Sequence, residues 1–98
     1  MKRIIIFLCC LHIILNAETT ISVDSLFSIG NRYFSVEKYD YALDSFLAIL
    51  DEVEHPDLYY NIGNTYYRLG HVGQAIWAYE KGIQLSPIHK DLKYNLDF

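Results

Sequence analysis

The side chains here that could do chemistry are four histidines, two adjacent cysteines and a scatter of acids, and their spacing argues against catalysis. A histidine pair that holds a metal from a helix sits one turn apart, and cysteine ligands come in short C-x-x-C clips. His55, His71 and His89 show neither spacing and fall in expected turns. His55 and His89 lie 34 residues apart, which should keep them from sharing a metal. Cys9 and Cys10 sit inside an apolar run, and the large residues before them do not suit a lipid-anchored cysteine. No glycine-rich phosphate loop is present, and no serine stands in a strand-turn-helix setting that would expose it as a nucleophile. The expectation is a protein that is not an enzyme, with no metal, cofactor or small-molecule substrate.

The ends and the bulk composition narrow the class. Lys2 and Arg3 precede an apolar run over 4–15, interrupted by His12, and then Asn16 and Ala17. Basic, apolar and small residues in that order form an export signal, and a run of this length is short of the roughly 20 residues a membrane span needs. Residues 1–17 are therefore expected to be a signal peptide and 18–23 a linker, with cleavage after Ala17; the alternative is an uncleaved anchor. Leu15 stands where a small residue is preferred. The expected location is periplasmic or on the outer face of the cytoplasmic membrane. Cleavage would remove both cysteines, and with them any disulfide. Taking Lys2 and Arg3 from the 8 basic residues leaves 6 against 12 acids, a net −6. That balance gives no footprint for nucleic acid.

The chain echoes itself. His55-Pro56-Asp57-Leu58-Tyr59-Tyr60-Asn61-Ile62 returns as His89-Lys90-Asp91-Leu92-Lys93-Tyr94-Asn95-Leu96, with five of eight positions identical at an offset of 34. At an offset of 33, Ile29-Gly30-Asn31, Tyr33 and Ala42 meet Ile62-Gly63-Asn64, Tyr66 and Ala75, and Phe46 falls opposite Tyr79. Periods of this length mark stacked supersecondary units. Within each unit the apolar spacing is helical: Leu26, Ile29, Gly30 and Tyr33, then Ala42, Phe46, Ile49 and Val53. Tyr59, Ile62, Gly63 and Tyr66, then Ala75, Tyr79, Gly82 and Ile83, repeat it. Gly70 is placed to stop a helix, and Pro56 and Pro87 stand near helix starts. Mid-helix Gly30 and Gly63 should face small Ala42 and Ala75, so that paired helices approach closely.

These residues resemble the tetratricopeptide repeat (TPR) family, whose signature runs leucine, glycine, tyrosine, alanine, phenylalanine. Leu26, Gly30, Tyr33, Ala42 and Phe46 follow it, and Gly63, Tyr66, Gly70, Ala75, Tyr79 and Pro87 follow it more closely. The resemblance implies an all-α helix-turn-helix solenoid, with one repeat over 24–55, a second over 56–89 and a partial third over 90–98. It departs at Glu54, where the closing proline is lacking, and at Gly82, usually alanine. A narrower stretch, Tyr60 to Gly70 with Ala75-Ile76, Tyr79-Glu80-Lys81 and Tyr94-Asn95-Leu96, is similar to the TPR proteins of the Bacteroides aerotolerance (Bat) operon. That resemblance implies an envelope protein with its repeats outside the cytoplasmic membrane. Such proteins often continue into a membrane helix and an SH3-like domain, so a fragment of a membrane-anchored protein is a further expectation.

In a solenoid the first helix of each pair lines the hollow side. One residue on from the core stripe, roughly 100° around the helix, lie Phe27, Asn31 and Phe34 in the first unit and Tyr60, Asn64 and Tyr67 in the second, with Tyr94 and Phe98 after them. The expected peptide-binding groove is thus an aromatic ladder, Phe27–Tyr60–Tyr94, beside Asn31 and Asn64, whose amides can donate and accept. The other account packs these rings on neighbouring repeats. One TPR variant clamps a carboxylate with cations and two asparagines; Phe27, Tyr94 and Phe98 occupy its cationic positions, so no such clamp is expected. Asp24, Asp57 and Asp91 should serve helix starts. Asp40, Asp44 and Asp51 should form a solvated stripe, and Trp77 either faces solvent or joins the core. The expected partner is a protein or peptide, in a membrane-associated complex or in a second copy of the chain.

Overall fold

The computed structural model describes residues 21–97, and the expected signal peptide over 1–17 lies outside them. Five helices follow in order: α1 Val23–Ser35, α2 Tyr39–Leu50, α3 Pro56–Arg68, α4 Val72–Leu85 and α5 Lys90–Leu96. No strand occurs among the described residues. Each helix packs mainly on its neighbours in sequence, which makes α1–α2 and α3–α4 the two full pairs and α5 the opening of a third.

Local chemistry sets the boundaries. Ser22 caps α1 by accepting from the Ser25 amide at 3.1 Å, and Pro56 opens α3 where its missing N–H costs nothing. Asp24, Asp57 and Asp91 all lie in first turns, on the positive end of the helix dipole. Both pairs turn through the same motif. Lys38 N donates to Tyr33 O at 2.9 Å and Glu37 N to Phe34 O at 3.0 Å; His71 N and Gly70 N repeat these bonds to Tyr66 and Tyr67. The left-handed position is Gly70 (φ 81°) in one pair and Glu37 (φ 63°) in the other. This is the Schellman stop, and the sequence reveals it only where it is glycine.

The core is two clusters of side chains between the helices. Ala42, Phe46, Ile49, Leu58, Tyr59, Ile62 and Ala78 form its larger part, and Ala75, Tyr79 and Leu92 the rest. Two expectations need correcting. At Gly30 and Gly63 the nearest atoms belong to rings and not to alanine: a Cβ on Gly30 would lie 2.5 Å from Phe46 Cε1, and one on Gly63 2.5 Å from Tyr79 Cδ1. A ring of the following helix fills each notch, because an aromatic face laid on bare backbone buries more apolar area than an alanine contact does. The stripe of the first helix is also incomplete. Ile29 is 37% exposed while its counterpart Ile62 is fully buried. α3 is covered by both α2 and α4, whereas α1 has α2 as its main neighbour. Val53 is likewise outside α2 and exposed.

The glycine at position 82 has a structural reason. A Cβ there would come within 2.7 Å of Leu92 Cδ1 and 3.2 Å of Tyr59 Cβ. Its absence lets buried Leu92 seat α5 against α4.

Candidate functional site

α3 is the centre of the site. Tyr60, Asn64, Tyr67 and Arg68 step by four, three and one, which puts them on one helical face. Phe34 from the end of α1, Tyr79 from α4 and Asn95 from α5 close around that face, giving a cleft of about 390 Å³. A smaller hollow of about 50 Å³ continues from it, lined by Asn31, Phe34, Phe46, Asn61 and Asn64. Phe34 and Asn64 border both, so the two form one groove along the pairs.

Five of the seven expected groove residues are therefore together: Asn31, Phe34, Tyr60, Asn64 and Tyr67. Phe27 and Tyr94 are not. Phe27 turns its ring edge onto Phe46, with centroids 5.8 Å apart, and borders a different, apolar cleft with Val23, Ile49 and Leu58. Tyr94 stands 80% exposed and lines neither part of the groove. The ladder Phe27–Tyr60–Tyr94 thus does not form. Phe98 lies outside the described residues.

The expected role of Asn64 also changes. Its Oδ1 accepts from the Tyr79 hydroxyl at 2.6 Å and from Asn95 Nδ2 at 2.9 Å. The carbonyl is thereby committed to tying α3, α4 and α5 together, and the amide N–H2 group is what Asn64 can offer a ligand. Burial pushes the Tyr79 hydroxyl up to about 12, with the Asn95 hydrogen bond pulling down and nearby Tyr60 and Tyr67 pushing further up. Tyr79 therefore stays a neutral donor at the floor of the groove.

Five lining residues lie outside the expected set: Arg68, Tyr79 and Asn95 in the larger hollow, and Phe46 and Asn61 in the smaller. Tyr79 is a core residue, 2% exposed, and its hydroxyl reaches Asn64 at the floor of the groove. Asn95 carried a signal, since it repeats Asn61 at an offset of 34, and these two amides line the two parts of the groove. Arg68, in the last turn of α3, brings one cation to the groove edge.

Two of the turn histidines, His55 and His89, also cap helices, while the His71 side chain makes no cap bond. His55 Nδ1 accepts from the Asp57 amide at 3.1 Å, and His89 Nδ1 from the Leu92 amide at 3.3 Å, so each caps a first helix. They are also not remote. Asp57 Oδ1 lies 2.8 Å from His89 Nε2, and Asp57 Oδ2 lies 3.8 Å from His55 Nδ1. One repeat of rise sets the start of α5 beside the start of α3, within reach of a single carboxylate. Trp77 is 43% exposed and belongs to neither core cluster, though its ring meets Tyr59 edge-on at 6.0 Å.

Residues 56–89 match the sequence model of the tetratricopeptide repeat family. The match spans α3, α4 and the His89 cap of α5. No curated protein matches the chain.

Proposed function

We propose that this tetratricopeptide-repeat protein is a non-enzymatic scaffold that holds a peptide or protein partner in the groove centred on α3. Tetratricopeptide repeats generally mediate protein–protein interaction, and their fold is generally non-enzymatic. The observation that carries the reading is the groove: rings of Phe34, Tyr60 and Tyr67 around the Asn64 amide and the Arg68 guanidinium. Aromatic walls with a few fixed polar groups suit an extended peptide, since rigid rings supply contact area at low entropic cost. The order of residues 1–17 supports export, and the resemblance around Tyr60 to Gly70 supports an envelope complex of the Bat aerotolerance type.

Selection from a random peptide library on the full chain, followed by calorimetry, tests the groove. Tyr67 is half exposed, so Tyr67→Ala should leave the fold intact and weaken a selected peptide about tenfold or more. Asn64→Ala is a poorer probe, because it also breaks the Tyr79 and Asn95 bonds. Equal affinity in the parent, Tyr67→Ala and Arg68→Ala would remove this function. Self-association is the second reading, favoured by Leu85, Ile88 and Tyr94 exposed at the α5 end. Sedimentation that shows a concentration-dependent dimer, broken by Ile88→Asp, would favour it. Fractionation of the producing cell tests export.

A further inference from the structure

We propose that the groove recognises an acidic side chain, an aspartate or glutamate within the partner's chain, and that Arg68 is the residue that pairs with it. This rests on the peptide-groove reading and adds to it the chemistry of the ligand.

Among the described residues that line the two hollows, Arg68 alone is charged. It is exposed, and no carboxylate of the described residues forms an ion pair with it. Glu37 and Asp40 border a neighbouring hollow together with Leu69, yet neither pairs with the guanidinium. The chain as a whole carries a net charge of −4. The groove therefore presents a sign opposite to that of the molecule around it. A cation in the last turn of α3 also suits the negative end of the helix dipole. That role depends on position along the axis and does not require the side chain to border the groove.

The amide beside Arg68 has the same bias. Asn64 stands four residues earlier, one turn along the same face. Its Oδ1 already accepts from the Tyr79 hydroxyl at 2.6 Å and from Asn95 Nδ2 at 2.9 Å. Two accepted bonds fill the two lone pairs of a carbonyl, so toward a ligand Asn64 has N–H to give and nothing to accept with. This face thus offers a guanidinium fork and an amide N–H2 group one turn apart. An ionised carboxylate is their complement, because it only accepts and its two oxygens fit the planar fork of arginine. A lysine or arginine of the partner would instead meet a like charge with no acid beside it.

A carboxylate can come from a side chain or from the end of a chain, and the shape of the groove favours the side chain. The larger hollow continues into the smaller one, toward Asn31 and Asn61. A bound peptide therefore has lining to follow past the acid and does not have to stop there. The rings of Phe34, Tyr60 and Tyr67 take the apolar neighbours of that acid.

Two selections test this, one on the full chain and one on its Arg68→Glu variant, from a random peptide library fused at both ends so that no peptide has a free terminus. Peptides taken by the parent should carry Asp or Glu at one fixed distance from their apolar residues, and those taken by Arg68→Glu should carry Lys or Arg there. A parent-selected peptide is then made with acetylated and amidated ends, and again with its acid replaced by the matching amide. In calorimetry the replacement should weaken binding to the parent about fivefold, the upper range for a pair at an exposed edge. It should change binding to Arg68→Gln by less than about twofold. If Arg68→Glu fails to fold, the comparison of parent with Arg68→Gln decides. Selected peptides without an enriched acid overturn the proposal, as does an acid whose loss costs the same in the parent and in Arg68→Gln. Binding that appears only when the C-terminus is left free overturns it too, since the carboxylate is then a chain end. Acid-free peptides that bind the parent and lose affinity in Tyr67→Ala keep the groove and remove this proposal alone; a library with no binder removes both.

Discussion

At the residue scale, glycines of one type do opposite things here. Gly63 sits where the Tyr79 ring presses on bare backbone, while an added Cβ on Gly73 would meet nothing within 4 Å. Tyr79 cannot withdraw easily, since it is 2% exposed and its hydroxyl is held by Asn64. Gly63→Ala should therefore destabilise the fold by about 1–3 kcal/mol through overpacking, despite the better helix propensity of alanine. Gly73→Ala should stabilise by about 0.5–1 kcal/mol, because only propensity changes. Denaturant midpoints at constant slope check both. A glycine-to-alanine gain at position 63 would contradict the ring-in-notch packing.

At the element scale, the two helix pairs use one turn with different residues. Glu37 and Gly70 occupy the same left-handed position and support the same pair of backbone bonds. A side chain in that region is strained by its Cβ, and the Glu37 carboxylate has no hydrogen bond or ion pair among the described residues to offset it. Glu37→Gly should raise stability by about 0.5–1 kcal/mol. Circular dichroism melts of the two chains would show it, and a loss of stability would mean Glu37 contributes something the backbone geometry does not reveal. The sequence marked this turn at Gly70 through glycine alone, so the matching turn at Glu37 stayed unmarked.

At the scale of the whole molecule, each of the two core clusters holds one buried tyrosine, Tyr59 in one and Tyr79 in the other. Burial is the main reason both hydroxyls are pushed up from 10.0 to about 12, aided at Tyr59 by its bond to Glu54. A hydroxyl that ionises later in the folded chain than in the unfolded one gives stability that is complete below pH 10. That stability is lost as pH rises toward about 12, because the unfolded chain releases its protons first. Denaturant midpoints taken stepwise in alkali should fall through that window, and Tyr79→Phe should flatten part of the fall. Lysine titration overlaps the window, so the comparison between the two chains decides, and identical curves would argue against a buried Tyr79 hydroxyl.

How much of this was legible beforehand follows from where each interaction lives. Helix periodicity, the 33- and 34-residue echoes, the proline starts and the Gly70 stop are properties of near neighbours, and they led to an all-α solenoid of paired helices. Residues on one helical face were legible too, which is why Tyr60, Asn64 and Tyr67 were found together. What crosses between helices was not. Whether Gly63 receives an alanine or the ring of Tyr79, whether Phe27 and Tyr94 join the groove, and whether Asp57 can touch His89 all depend on the shift and rotation of one helix against the next. Those quantities are set by the summed packing of many side chains, and no local spacing encodes them.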